Sequence, residues 1–233
     1  MISDPKNYRP INLTDCTFRI FESIIRTRIR SWAESSLHHN QYGFREAQST
    51  MSALLVIITS LHAAISSRKP IFICFLDAVK AFDRVPHKAV LEALMNHGLC
   101  PASCRMIQAI MSGHVSCITD PNNPENSIRI AIECGVLQGG ILSPFFFSIF
   151  ADSLFDHPSF QSLQALYADD RTIMDEDPTR LQESLSALES WASSRNLIHD
   201  GNELLVVNAL QRIPSVSMGL PSLASKQSNA LGS

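Results

Sequence analysis

The sequence predicts an α+β domain in which an antiparallel sheet is backed by helices. Three observations predict it. Residues 71–76 form a continuous apolar run of strand length, two pairs of short apolar segments flank turn residues (115–119 with 127–134, 163–168 with 171–174), and helical periodicities stand before and between them. The 233 residues are ample for a sizeable core, and 45% apolar with 18% charged residues excludes a disordered, collagenous or coiled-coil chain.

Taking the elements in order, Phe18, Phe21, Ile25, Ile29 and Trp32 recur at helical spacing. Arg19, Glu22, Arg26 and Arg30 fall on another face, with Glu22 and Arg26 an i, i+4 pair, so the helix should carry a basic outer stripe that is either a solvated face or a nucleic-acid contact. Residues 47–66 read as a second helix, and the apolar run 71–76 reads as a strand buried on both faces that stops at Asp77. Pro86 opens a helix closed by Gly98, and residues 102–111 form another. A hairpin follows over 115–134, then a buried helix opened by Ser143 and Pro144. The second hairpin turns at Asp169 and Asp170, a helix starts at Asp177 and Pro178, and residues 204–210 make a last strand. Residues 211–233, rich in Ser, Gly, Pro and Asn, read as a loose tail.

The longest apolar stretch, 51–65, is interrupted by Ser52, Thr59, Ser60 and His62 and falls short of the ~20 residues of a membrane span. Met1 is followed by polar residues, without a secretory signal. Cys16, Cys74, Cys100, Cys104, Cys117 and Cys134 lack paired metal-ligand spacing. Reduced, mostly structural thiols in an intracellular protein without a membrane are the expectation, with Cys100 and Cys104 as core thiols and His38 and His39 as surface histidines. The net charge of −3 gives no general nucleic-acid signal, but residues 1–45 hold seven basic side chains against four acidic, and residues 150–210 three against eleven. A basic front and an acidic centre suit a protein that holds polyanions around bound cations.

The chemistry concentrates at Asp77, Asp169 and Asp170. Carboxylates at the end of a buried strand and at the tip of an apolar hairpin would repel one another unless protonated or bridged by cations. Mg²⁺ suits such a place, because it takes one or two carboxylates together with water and substrate phosphates. Two ions ~4 Å apart support phosphoryl transfer. Taken singly, each motif reads first as an ordinary acidic turn, since Asp-Asp is common in loops.

The ordered set is more specific. Leu76-Asp77-Ala78-Val79-Lys80-Ala81-Phe82-Asp83, then Gln138-Gly139 with Ser143-Pro144, then Tyr167-Ala168-Asp169-Asp170 resemble the three central palm motifs of reverse transcriptases, in particular those of non-LTR (LINE-type) retrotransposons. Upstream, Asn7-Tyr8-Arg9-Pro10-Ile11 and Gln41-Tyr42-Gly43-Phe44-Arg45 with Ser49-Thr50 resemble the finger motifs of that family. The resemblance covers roughly residues 5–207. It implies partial fingers over 1–70, a palm over 71–210, and no thumb.

The resemblance implies an RNA-directed DNA polymerase that adds dNTPs to a DNA primer on an RNA template. Asp77 and Asp169 would be the main ligands of two Mg²⁺ ions, with Mn²⁺ as the alternative metal, and Asp170 would stand in the same site. Phe82 matches the residue that abuts the sugar 2′ position, although the residues alone equally allow a core aromatic. Arg9 matches the finger arginine on the incoming triphosphate, a role suited to a permanently charged planar fork. Gln138 and Gly139 match the segment lying against the template and the new base pair. Arg45 supports the finger segment or touches the template, Lys80 and Asp83 shape the turn after Asp77, and Tyr167 packs near the primer end.

Two departures from the family pattern define the rival expectation. The family places Asn, two residues, then Lys before the last palm strand, where this chain reads Asp200-Gly201-Asn202-Glu203. The charge reversal at Glu203 bears on general-acid help to the leaving pyrophosphate. The chain is also expected to be a truncated copy, lacking the thumb, the endonuclease and the C-terminal nucleic-acid-binding regions of a full element. The alternative is therefore a catalytically inactive remnant with a palm fold that retains RNA or partner binding. A metal-dependent phosphohydrolase using the same carboxylates explains neither Gln138-Gly139 nor Arg9.

Overall fold

The computed structural model describes residues 11–120 and 123–207, so Arg9 and the 211–233 tail lie outside the described residues. In chain order the elements are α1 (Cys16–Ser36), α2 (Thr50–Ser67), β1 (Ile71–Ala78), α3 (Ala81–Arg84), α4 (His87–Asn96), α5 (Pro101–Ser112), β2 (Val115–Asp120), β3 (Asn123–Ala131), α6 (Ser143–Asp152), β4 (Leu163–Tyr167), β5 (Asp170–Asp175), α7 (Pro178–Ser194) and β6 (His199–Val207). The helix starts follow local chemistry. Asp15 accepts from the Thr17 N–H ahead of α1, Asp177 accepts from the Thr179 N–H ahead of α7, and Pro101 and Pro178 occupy first-turn positions where no N–H is needed.

The chain divides into two units, each discontinuous in sequence. The first, residues 38–79 and 152–207, is the sheet unit. Its four strands lie in the order β4-β5-β1-β6, and every pairing is antiparallel. β1 is therefore central, which its apolar run requires: Phe72, Ile73, Cys74 and Leu76 are all buried. Ala64 of α2 packs on one face with Ile71, Ile73 and Met174. α7 packs on β5, presenting Trp191 to the opposite side through its contact with Arg171. α2 is 18 residues long, extending past the interrupted 51–65 stretch, and is apolar enough to cross a membrane by length and composition. Here Ala53 and Ala64 are buried against the sheet unit while Leu54, Leu55, Ile58 and Ile65 are exposed.

The second unit, residues 11–37 and Lys80–Ala151, is mainly helical and carries the separate β2-β3 hairpin. Its core takes Ile25 and Ile29 from α1, Leu94 from α4, Ile107 from α5 and Phe146, Ile149 and Phe150 from α6. The predicted face of α1 needs correction. Phe21 is exposed, and Glu22, expected on the outer basic stripe, is 3% exposed. Its carboxylate accepts the backbone N–H groups of Ile141 (3.2 Å) and Leu142 (3.4 Å). The buried face runs Glu22, Ile25, Ile29, Ala33, and the acid is admitted because it satisfies backbone donors that a loop would otherwise leave bare. Arg19, Arg26 and Arg30 are exposed as expected.

Other boundaries shift modestly. β1 continues through Asp77 to Ala78, β6 begins at His199 where it pairs with Ala78, and Ala47 adopts a positive φ of 57° outside α2. The thiols divide: Cys74 and Cys104 are buried, whereas Cys100, expected in the core, is exposed one residue ahead of α5. His38 is not a simple surface residue, since its ring stacks on Phe155 at 4.0 Å and 13° and its N–H donates to Asp152.

Because Glu22 holds two backbone donors in a buried place, Glu22→Ala should destabilise the chain by about 2 kcal/mol or more, and Arg26→Ala by under about 0.5 kcal/mol. Urea unfolding of the two variants beside the parent chain checks both.

Candidate active site

Within the sheet unit, two chain segments bring three carboxylates to one end of the sheet. β1 delivers Asp77, which is exposed although Leu76 and Ala78 on either side are buried. The ladder between β1 and β6 slips between Phe75 and Asp77, so Asp77 lies opposite Asp200 and Phe75 opposite Glu203. A slip of this kind next to the last strand residues re-aims side chains without breaking the strand.

The second segment is the β4-β5 hairpin. Tyr167 pairs with Asp170, so the two-residue turn is Ala168-Asp169 and Asp170 is already the first residue of β5. This corrects the expected turn by one position. Ala168 carries the turn at φ 55°, a left-handed conformation costing a non-glycine residue about 1–2 kcal/mol. The β1-β5 ladder ends at Leu76 opposite Arg171, and one rung further its register sets Asp77 against Asp170. The carboxylates thus converge through strand register: Asp77 and Asp170 across two strands, Asp169 beside them in the turn.

Their mutual influence is visible at Asp170. Partial burial first, then the charges of Asp169 and Asp77, raise its carboxyl above the ordinary carboxylate range. The donor set fits a divalent cation by charge, as an open site. Among the described residues no three His, Cys, Asp or Glu side chains are grouped so as to hold an ion by themselves.

Directly beneath lies Arg171, 4% exposed. Its Nη1 donates to Gln164 Oε1, and its guanidinium sits 5.9 Å from the Phe155 ring and 6.0 Å from the Trp191 ring. Burial pushes the group down to about 9, opposed by the charge of Asp152.

In the other unit the predicted substrate residues share one loop framework. Phe82 stacks on Phe147 with centroids 4.6 Å apart and planes at 8°, and its carbonyl accepts the Val136 N–H at 2.8 Å. Gln138 Nε2 donates to Asp83 Oδ1 at 2.9 Å, while the Gln138 carbonyl accepts the Asn12 N–H at 2.8 Å. Gly139 has φ +113°, and a Cβ there would lie 2.6 Å from the Asn12 carbonyl oxygen, so glycine is required twice over. Lys80 at φ 50° caps α3, consistent with the expected turn-shaping role. Arg45 Nη1 donates to the carbonyls of His38 (2.8 Å) and Gln41 (3.1 Å), which ties the 38–45 segment together.

Comparison with known proteins decides the family. The model described as "Reverse transcriptase (RNA-dependent DNA polymerase)" matches residues 3–200. The chain belongs to this reverse transcriptase family. It is 28% identical over 232 residues to the RNA-directed DNA polymerase from mobile element jockey of Drosophila funebris, covering 92% of this chain and 25% of that one. It is 26% identical over 209 residues to the retrovirus-related Pol polyprotein from type-1 retrotransposable element R2 of Popillia japonica, covering 84% of this chain and 29% of that one. The chain thus spans roughly a quarter of the curated relatives it matches. Its fold is similar to that of telomerase from Candida tropicalis, solved in complex with the TWJ fragment of telomeric RNA, with a TM-score of 0.63 at 10% identity over 82% of this chain and 34% of that one. The non-LTR resemblance of the motifs and the predicted α+β palm fold are both borne out, and divalent metal use is general to reverse transcriptases.

Several residues of this reverse transcriptase domain escaped sequence reasoning. Glu22 had a signal, since it sits at helical spacing with Ile25 and Ile29. Asn12 and Asp83, as partners of the Gln138 segment, had none, because each acts through a neighbour distant in sequence, and Arg171 had none because its burial depends on what packs over β5.

A carboxyl whose folded pKa lies above its unfolded value binds its proton more tightly when folded. Asp170 therefore favours folding as pH falls through the raised value and opposes it above. Asp170→Asn should raise Tm in metal-free buffer near neutral pH and leave it unchanged at about pH 3, below both values. Thermal melts across that range check the sign.

Proposed function

We propose that this chain is the catalytic core of an RNA-directed DNA polymerase, extending a DNA primer with dNTPs on an RNA template. The observation that carries the reading is the convergence of Asp77, Asp169 and Asp170 at one sheet end in a chain of the reverse transcriptase family. Asp77 and Asp169 would hold two Mg²⁺ ions, Mn²⁺ substituting, with Asp170 completing the negative charge. When bound, such ions activate an attacking oxygen and neutralise developing phosphate charge.

The protein groups supply position and exclusion. The primer 3′ hydroxyl attacks the α-phosphate of the dNTP and pyrophosphate leaves, a reaction in which alignment and electrostatics account for nearly all the acceleration. Phe82 excludes a 2′ hydroxyl, and its stack on Phe147 supports a ring fixed in one orientation. Gln138 and Gly139 bear on the template and the new base pair, with Asp83 and Asn12 holding them. Arg9 is proposed for the triphosphate on the motif alone. The proposed setting of this activity is inside the cell.

One observation favours a second reading, an inactive remnant that binds RNA or a partner. Glu203 stands exposed on β6 opposite Phe75, where the family carries Lys. Primer extension on an RNA template in Mg²⁺, by this chain beside Asp169→Ala and Glu203→Lys, separates the two. Extension lost by a factor of at least about 10³ in Asp169→Ala supports the polymerase, no extension by any version supports the remnant, and extension by Glu203→Lys alone locates the defect.

A further inference from the structure

We propose that Gly43 is a positioning residue for the Asp169 turn. Its missing side chain lets a buried segment press directly on the backbone that carries the carboxylates. The inference rests on the polymerase reading in taking that turn as the reactive one, but its geometry is independent of it.

The segment around Gly43 is joined to β4 by an isolated parallel bridge. The Tyr42 N–H donates to the Leu166 carbonyl at 2.8 Å, and the Leu166 N–H donates to the Asn40 carbonyl at 3.0 Å, with Gln41 and Leu166 bridged in parallel. One residue further, Gly43 is buried against the hairpin tip. A Cβ at this position would lie 2.3 Å from the Ala168 nitrogen, 3.1 Å from the Ala168 Cα and 3.2 Å from the Tyr167 carbonyl carbon. All three are backbone atoms, so no flexible side chain can swing aside. Gly43 is not among the positive-φ glycines, which leaves space as the reason that glycine stands here.

The contact meets the turn at its strained point. Ala168 is left-handed at φ 55°, and a non-glycine residue keeps such a conformation only where its surroundings over-determine it. The pressing segment is itself held fast: Arg45 clamps the carbonyls of His38 and Gln41, and Tyr42 packs with Ala53 and Ala165. With a rigid backing on one side, the next residue, Asp169, has its place set by backbone contact. Displacements of about 1 Å in such a group cost on the order of 10²-fold in rate.

The test uses the 233-residue chain with Mn²⁺ alone as probe, read by electron paramagnetic resonance, and then primer extension on an RNA template. Gly43→Ala should weaken Mn²⁺ binding roughly 10-fold and lower kcat roughly 10²-fold with KM for dNTP nearly unchanged. Ala168→Gly added to it should restore much of both, because the freed turn can yield. Arg45→Ala, which lets the segment recede without creating a clash, should also weaken Mn²⁺ binding, and it carries the test by itself if Gly43→Ala does not fold. Parental Mn²⁺ affinity in a folded Gly43→Ala chain or in Arg45→Ala, or a loss that Ala168→Gly leaves untouched, overturns the positioning role. A parent chain that binds Mn²⁺ sensitively to these substitutions yet extends no primer overturns the polymerase reading and leaves the positioning role standing. A parent chain that binds no Mn²⁺ overturns both.

Discussion

Repulsion among three carboxylates at the end of one sheet is the constraint on which the rest of this structure depends. Asp77, Asp169 and Asp170 could separate if the strands beneath them were free to move, and the sheet unit is built so that they are not. β1 is buried on both faces and paired on both edges, so its end cannot swing. The hairpin is pinned by β1 on one side and by the 40–43 segment on the other. Partial burial first, and then the charges of Asp169 and Asp77, raise the Asp170 carboxyl held there.

Arg171 gives that repulsion a floor. A fully buried guanidinium one residue after two adjacent acids is costly, and the protein offsets the cost with Gln164, two aromatic rings and the nearby charge of Asp152. Asp152 also accepts the His38 N–H, so the acid that faces Arg171 anchors the start of the segment ending in Gly43. Hairpin, 38–45 segment and internal charge are thereby connected in one unit.

The helical unit solves a different problem with the same means. Its loop over 135–142 must expose backbone and Gln138, and loops of that length are usually mobile. Here the loop is held by backbone hydrogen bonds to Phe82, Val85 and Asn12, and by the buried carboxylate of Glu22. The glycines at 135 and 139 sit at positive φ hard against the carbonyls of Asp83 and Asn12, which is how close approach becomes rigidity.

Periodicity and motif order made most of this legible beforehand. The apolar run at 71–76, the two hairpins and the Asp-bearing motifs were readable because burial and turn chemistry act over a few residues. Strand ends are less legible: the Asp169 turn falls one residue earlier and β6 begins five residues earlier than the local pattern predicts, because β4-β5 and β1-β6 pairing decide them. What the sequence by itself determined is the family, the fold class and the identity of the acidic residues, all properties of local pattern. Only the tertiary structure decided that Glu22 is a buried backbone acceptor, that Arg171 lies fully inside, and that Gly43 touches the Ala168 turn. The reason is physical: a partner far along the chain, as Ile141 is 119 positions from Glu22, leaves no periodic trace, and the burial of Arg171 depends on which elements pack over its strand.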